Sequence, residues 1–301
     1  MFVVREARPE DATAVVPFLV NMLMGQPSAY QSIFTFAQSR IGRTEGDAAR
    51  PLGAVLERPD GSIAGFLGLL ASRMPRLTPG WVQHLTSWAV APDARGQGLR
   101  LLYHVVHTHP GIFANFSATA AVQAILPRFG FTQIDEAELT FSNWSFVGVR
   151  NRFDRSAAID LEAIEFAPHH EQACVIRDHL AMGCRAFATE QGGQKIVAVM
   201  LRLGSGRHAT AQLIHLSPVD ENAIRAIWPG LKGFALYDMR CPRVRVDARY
   251  APSGEEPLAR KPRYMFAKNF TGHPRDLTRA YGEPLNAWAL FGLATGNNEK
   301  K

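Results

Sequence analysis

Along the first half of the chain, apolar positions switch between a period of two and a period near 3.6, which separates strands from helices. Residues 2–7 read as a short strand. Pro9-Glu10-Asp11 then opens a helix, with proline in its first turn and acids at the positive end of its dipole. Val15, Phe18, Leu19, Met22 and Leu23 recur at helical spacing along it. Residues 25–50 are polar and irregular around an aromatic patch at Tyr30, Phe34 and Phe36. Two alternating runs, 52–57 and 63–71, flank Pro59-Asp60-Gly61, and Asp-Gly is a strong hairpin signal. Further strands are expected at 81–91 and 112–118, with helices at 98–107 and 120–126. The order β-α-β-β-β-α-β-α is that of an α+β sheet with helices on its faces, not of a doubly wound alternation.

The second half repeats the outline. A strand at 159–166 precedes a helix at 168–182. A hairpin at 185–190 and 195–203 turns at Gln191-Gly192-Gly193, and a strand at 210–216 leads to a helix at 220–228 and a strand at 233–238. The aromatic-to-basic shift at 143–157, with Arg150, Arg152 and Arg155, reads as a spacer. Two domains are therefore expected, residues 1–150 and 151–301, the second a divergent copy of the first.

Composition adds limits rather than a fold. With 47% hydrophobic and 20% charged residues, the 301-residue chain can bury a core, and disorder is not expected. No apolar run reaches the ~20 residues of a membrane span. The start, with Glu6 and Glu10, lacks the layout of a signal or transit peptide. Cys174, Cys184 and Cys241 are widely spaced, which suits free thiols in a reducing, cytoplasmic compartment. Net charge is +6, compatible with an anionic small ligand. The cluster Arg240, Arg243, Arg245, Arg249, Arg260, Lys261 and Arg263 is either a solvated face or an anion- or RNA-contacting one.

The chemistry is concentrated in residues 88–102. A strand ends at Val90, Pro92-Asp93 turns the chain, and Arg95-Gly96-Gln97-Gly98 stands where a helix begins. Glycines let successive N–H groups converge, and with the helix N-terminus they make a site for a pyrophosphate. The stretch Val90-Ala91-Pro92-Asp93-Ala94-Arg95-Gly96-Gln97-Gly98-Leu99 resembles the coenzyme A loop, V-x-P-x-x-R-G-x-G-x-G/A, of the GNAT N-acyltransferase superfamily; the closing small residue is Arg100 here. The order of elements matches over residues 2–131, and Phe129-Gly130-Phe131 resembles the family's terminal Gly-Phe.

The resemblance implies a mixed, mostly antiparallel GNAT-like sheet and acyl transfer from acetyl-CoA or another acyl-CoA to an amine. Trp88, Ala89, Val90, Arg95, Gly96, Gln97, Gly98, Leu99 and Arg100 would hold the donor, with pantetheine between strands 81–91 and 112–118. His84 occupies the position, six before the motif valine, where many members carry a glutamate base. Leu126 stands where a thiol-protonating tyrosine is usual. The acceptor would be a small-molecule amine or a peptide. His104, His107 and His109 lack a third ligand at sensible spacing, so no metal is expected. The second half has no glycine loop: Ser217-Pro218-Val219-Asp220-Glu221-Asn222 is acidic and would repel a pyrophosphate. Two other readings are a non-catalytic acyl-CoA-binding module, motivated by Leu126 and Arg100, and a tRNA-dependent aminoacyl transferase, motivated by the basic cluster. Acceptor identity, acyl length and oligomeric state carry no signal in the sequence.

Overall fold

The computed structural model describes residues 1–23, 52–73, 81–116, 118–144, 176, 179–180, 183–191, 194–217 and 221–271. The chain folds as two compact units: Met1–Gln133 with Met265–Gly272, and Ile134–Tyr264. The expected spacer at 143–157, the strand at 159–166 and most of the helix at 168–182 lie outside the described residues; Ile176, His179 and Leu180 are helical.

In the first unit β1 (Val3–Glu6) is followed by a 3-10 turn at Pro9–Asp11 and by α1 (Ala12–Leu23). Strands β2 (Gly53–Glu57), β3 (Ile63–Arg73) and β4 (Trp81–Val90) form an antiparallel meander, with β1 antiparallel to β2. Helix α2 (Gly98–Thr108) then carries the chain across to β5 (Ile112–Asn115), which runs parallel to β4. Met265–Lys268, the end of β11 (Ala259–Lys268), completes this unit by pairing antiparallel with β5. Lys268 Nζ donates to the Phe129 carbonyl at 2.6 Å and Asn269 Nδ2 to that of Gly111 at 3.0 Å.

Helix α2 buries Leu101, Leu102, Val105 and Val106 against Leu56, Leu67, Leu85 and Phe113. These are buried apolar side chains, each contributing roughly 1.5–3 kcal/mol relative to exposure, and they fix one face of the sheet. Helix α1 packs on β3 and β4 through a different apolar stripe, Val15, Val16 and Leu19. After α3 (Ala120–Ile125) and a 3-10 turn at Leu126–Phe129, Gly130 stops the helix in the left-handed region (φ 79°). That geometry favours glycine, which accounts physically for the Phe129-Gly130-Phe131 signal.

The second unit repeats this plan. β7 (Arg185–Gln191), β8 (Gln194–Leu203) and β9 (Thr210–Ser217) form an antiparallel meander. Helix α4 (Glu221–Tyr237) leads to β10 (Arg243–Asp247), parallel to β9, and β6 (Thr132–Ser142) pairs antiparallel with β10. Both helices thus connect the last strand of a meander to a parallel neighbour.

Two expectations need correction. The sequence places a helix end at Trp228 and a strand at 233–238. The structure carries α4 on through Pro229 and Gly230 to Tyr237. Ile224, Ile227, Trp228, Leu231, Phe234 and Ala235 keep one helical stripe across the proline and bury it against β6, β8, β9 and β10. Burial of that stripe outweighs the ~3 kcal/mol that an interior proline costs. Strands β6, β10 and β11 were not expected at all.

Candidate functional site

The site is built around β4. Its alternation is regular at first: Leu85 joins the core under α2, while His84 and Thr86 point to the opposite face. The pairing with β3 then slips. Thr86 lies opposite Gly68 and Ala89 opposite Phe66, so Ser87 and Trp88 share a single partner position, Leu67. This is a β-bulge, and Ser87 takes up the strain with φ 51°, unusual for a residue with a side chain. Past the bulge the faces are exchanged: Trp88 and Val90 pack against the α2 core. Simple alternation would put Trp88 beside His84 and Thr86; the inserted residue puts it on the other side.

The same strand parts from β5. The two pair in parallel only over Val82–His84, opposite Ile112–Ala114. Beyond His84 the β5-side edge of β4 has no strand partner among the described residues. Trp88, Ala89 and Val90 therefore present one backbone edge to β3 and leave the other as the side of a cleft.

At the far end of this edge lies the glycine loop. Pro92–Gln97 forms a 3-10 turn, and α2 begins at Gly98. Ala91 donates to the Ala64 carbonyl at 2.8 Å, Ala94 is buried, and Arg58 grips Asp93 through both carboxylate oxygens at 2.9–3.2 Å. The β2–β3 hairpin thus holds the turn in shape. A Cβ on Gly96 would meet nothing within 4 Å, whereas one on Gly98 would sit 3.1 Å from Val90 Cγ2. Arg95 is exposed. Arg100, also expected in the site, gives Nη1 to Gln97 Oε1 at 2.9 Å and to the Phe2 carbonyl at 3.2 Å. Leu99 is half-exposed on the outer side of α2.

His84 is buried and stacked on Phe116, with ring centroids 5.4 Å apart. Burial pushes its pKa down to about 4, so the imidazole is neutral at pH 7. On the same face the hydroxyls of Thr86 and Ser87 are 3.4 Å apart. Leu126 is fully buried in the core with Leu101, Leu102 and Phe131, and offers no proton.

Elsewhere, two cations of the basic cluster are matched by carboxylates: Arg245 lies 3.3 Å from Glu138, and Arg249 lies 3.1 Å from buried Asp247. Cys184 and Cys241 are free and buried, with thiol pKa values pushed up to about 12 and about 11 by burial. Among the described residues no group of three or more His, Cys, Asp or Glu could hold a metal, and no helix is long and apolar enough to cross a membrane.

A bulged central strand, a neighbour that parts from it, and a glycine-started helix at the open end mark this α+β fold. Known structures agree. The chain superposes on a GCN5-related N-acetyltransferase from Anabaena variabilis with a TM-score of 0.56, at 12% identity, over 88% of this chain and 72% of that one. A GCN5-related N-acetyltransferase from Kribbella flavida gives 0.55 at 14% identity, over 89% and 71%. No family model matches the sequence, and no curated protein matches it. The chain has the GNAT fold.

Proposed function

We propose that the protein is an acyl-CoA-dependent N-acyltransferase that moves an acetyl or other acyl group to the amine of a small molecule or peptide. The observation that carries this reading is the parting of β4 from β5 after His84, with the Arg95–Gly98 turn at the open end. Acyl-CoA would bring an activated thioester. The N–H groups at the start of α2 would hold its pyrophosphate, aided by Arg95, because a helix N-terminus and converging amides favour negative charge. The free edge of Trp88, Ala89 and Val90 would pair with pantetheine amides as a missing strand does. Gly96 supplies backbone without bulk at the phosphates, Gln97 and Gly98 carry that backbone into the start of α2, and Leu99 and Arg100 flank them. In this reading Arg100 braces Gln97, its partner here, rather than meeting phosphate directly.

His84 is a candidate catalytic group. A neutral imidazole with a pKa of about 4 is a weak base, so its part would be to accept a hydrogen bond from an amine that arrives uncharged. Free, buried thiols support a reducing compartment, and we place the protein in the cytoplasm.

Leu126 favours a second reading, a module that binds acyl-CoA without turnover, since an aliphatic core residue stands where an acid is usual. A tRNA-dependent transferase is disfavoured by the acids that face Arg245 and Arg249.

Calorimetric titration of acetyl-CoA and a longer acyl-CoA into wild type and Gly96→Glu tests the reading. The variant puts a carboxylate on the open side of the turn, where a Cβ meets nothing within 4 Å and the pyrophosphate would sit. Micromolar binding lost in a folded variant is the expected result; no binding by folded wild type overturns the assignment. A free-thiol assay with a panel of amines then separates the enzyme from the module.

A further inference from the structure

The bulge in β4 suggests how a leaving thiolate is stabilised in a chain whose usual acid position is filled by Leu126; the argument rests on the acyl-CoA reading above. Three observations meet at one place. The cleft between β4 and β5 closes at His84, where the parallel pairing begins. The bulge lies three residues inside that closed end, at Ser87. The Ser87 hydroxyl lies 3.4 Å from that of Thr86, so the two form a pair on the His84 side of the strand.

A donor anchored at Gly98 and laid along the free edge of β4 runs from Val90 back toward His84. Val90 to Ser87 is about 10 Å of strand at ~3.3 Å per residue. The phosphate end is fixed at the open mouth, so the reactive thioester falls at the bulge, near the apex. Leu126 lies in the core with Phe131 and can donate nothing there.

We propose that Ser87 is a catalytic residue whose hydroxyl donates a hydrogen bond to the thioester sulfur as it leaves, with Thr86 orienting it. In that step the neutral amine nitrogen attacks the thioester carbonyl carbon and a C–N bond forms. The tetrahedral centre collapses, the C–S bond breaks, and its electron pair goes to sulfur. The surplus proton on nitrogen passes to water. The Ser87 O–H stays intact and stabilises the thiolate, which later takes a proton from solvent. Nothing is oxidised or reduced. The left-handed backbone at Ser87 has a matching rationale: it turns one hydroxyl out of the regular alternation and toward Thr86, at a conformational cost tolerated at functional sites.

The experiment compares wild type, Ser87→Gly and Ser87→Ala, using acetyl-CoA and whichever amine of a panel (a polyamine, an aminoglycoside, a lysine peptide) wild type acylates fastest. Glycine accepts φ 51° without strain, so Ser87→Gly keeps the bulge while removing the whole hydroxymethyl group, and melts no lower than wild type. Alanine removes the hydroxyl and keeps the strain. The expected result is a kcat lower by about tenfold or more in both variants, with the KM for acetyl-CoA unchanged. Wild-type kcat in Ser87→Gly overturns the proposal, whether or not Ser87→Ala is impaired, since a loss confined to alanine reports backbone and not hydroxyl. Wild type that binds acetyl-CoA yet releases no thiol with any amine also overturns it, while leaving a binding module in place. Only failure to bind acetyl-CoA at all removes the functional reading itself.

Discussion

Gly98 stands against Val90 so closely that a Cβ there would lie 3.1 Å from Val90 Cγ2, while two residues earlier Gly96 faces open space. The glycines of one loop therefore do different jobs. Gly98 lets the helix start press onto the end of β4, and Gly96 needs no such room. Val90 is β-branched and stiff, so giving way to a new methyl costs energy. Gly98→Ala is expected to lower stability by about 1 kcal/mol. Gly96→Ala is expected to be neutral, or stabilising by a few tenths through the unfolded chain, roughly within the range for a compatible Gly→Ala change. Urea unfolding of the pair measures the difference; equal effects would show that the loop is looser than its packing implies.

The buried histidines set a pH dependence whose sign follows from their neutral preference. His84 and His215 are both pushed down to about 4 by burial, against an ordinary value of 6.5. The unfolded chain takes up protons first, so their contribution is complete above pH 6.5 and is lost as pH falls through 4. Each is worth about 3 kcal/mol at full effect, taking ~1.4 kcal/mol per unit. His84→Phe keeps a ring against Phe116 and cannot titrate. The drop in unfolding free energy between pH 7 and pH 4.5 should shrink by about 2 kcal/mol in this variant. An unchanged drop would falsify the assignment of that proton uptake to His84.

Much of this was legible before any coordinates, and what was not has definite causes. β2 and β3 announce themselves by alternation around Asp60-Gly61, and α2 by Leu101, Leu102, Val105 and Val106 on one stripe. The loop at Arg95–Gly98 was visible because glycine spacing is itself the geometry. β10 is strictly alternating, Arg243-Val244-Arg245-Val246-Asp247, yet its arginines also belong to the basic run from Arg240 to Arg249, and that charge masks the strand period. β6 carries three acids in eleven residues and one of them, Glu138, is buried beside Arg245, a pairing no local pattern reveals. The bulge was invisible for a stronger reason. Ser87 is marked by the register between β4 and β3, and a serine in sequence says nothing about a left-handed backbone.

Arg5 ties the start of the first unit together: its Nη atoms reach both oxygens of Asp11 at 2.7 and 2.8 Å, and its Nε reaches Glu57 at 2.7 Å. The guanidinium holds the Asp11 carboxyl below its ordinary range. Lysine cannot reproduce this fork. Arg5→Lys should cost about 1 kcal/mol at pH 7, a modest figure because the side chain is a third exposed and water screens it. The sign with pH is again fixed. Asp11's contribution is present above the ordinary carboxylate pKa and is lost as pH falls through its depressed folded value. The gap between wild type and variant should therefore close on acidification below about pH 4. Paired thermal melts at pH 7 and pH 3 check this, and a gap as wide at pH 3 as at pH 7 would assign the effect to packing of the Arg5 stem.

Lys232 lies in the middle of α4 with its side chain only 1% exposed, and its ammonium contacts Glu255. Trp228 Nε1 donates to the other oxygen of that carboxylate at 2.7 Å, and the ammonium stands 5.9 Å from the Trp228 ring centroid. A buried ion pair of this kind is asymmetric in what it costs to break. Removing the carboxylate strands a charge in the interior, whereas replacing the cation by an apolar residue of similar length removes the desolvation penalty as well. Glu255→Ala should therefore destabilise by about 2 kcal/mol or more, moderated by the carboxylate's partial exposure, and Lys232→Met by less than about 1 kcal/mol. The double variant should recover most of what Glu255→Ala loses, because no ammonium is left to strand. Urea unfolding of the four proteins completes the cycle. Should Lys232→Met prove the costlier single change, the ammonium would be a net stabiliser of α4 through Trp228 and its other neighbours, not a charge tolerated for the sake of Glu255.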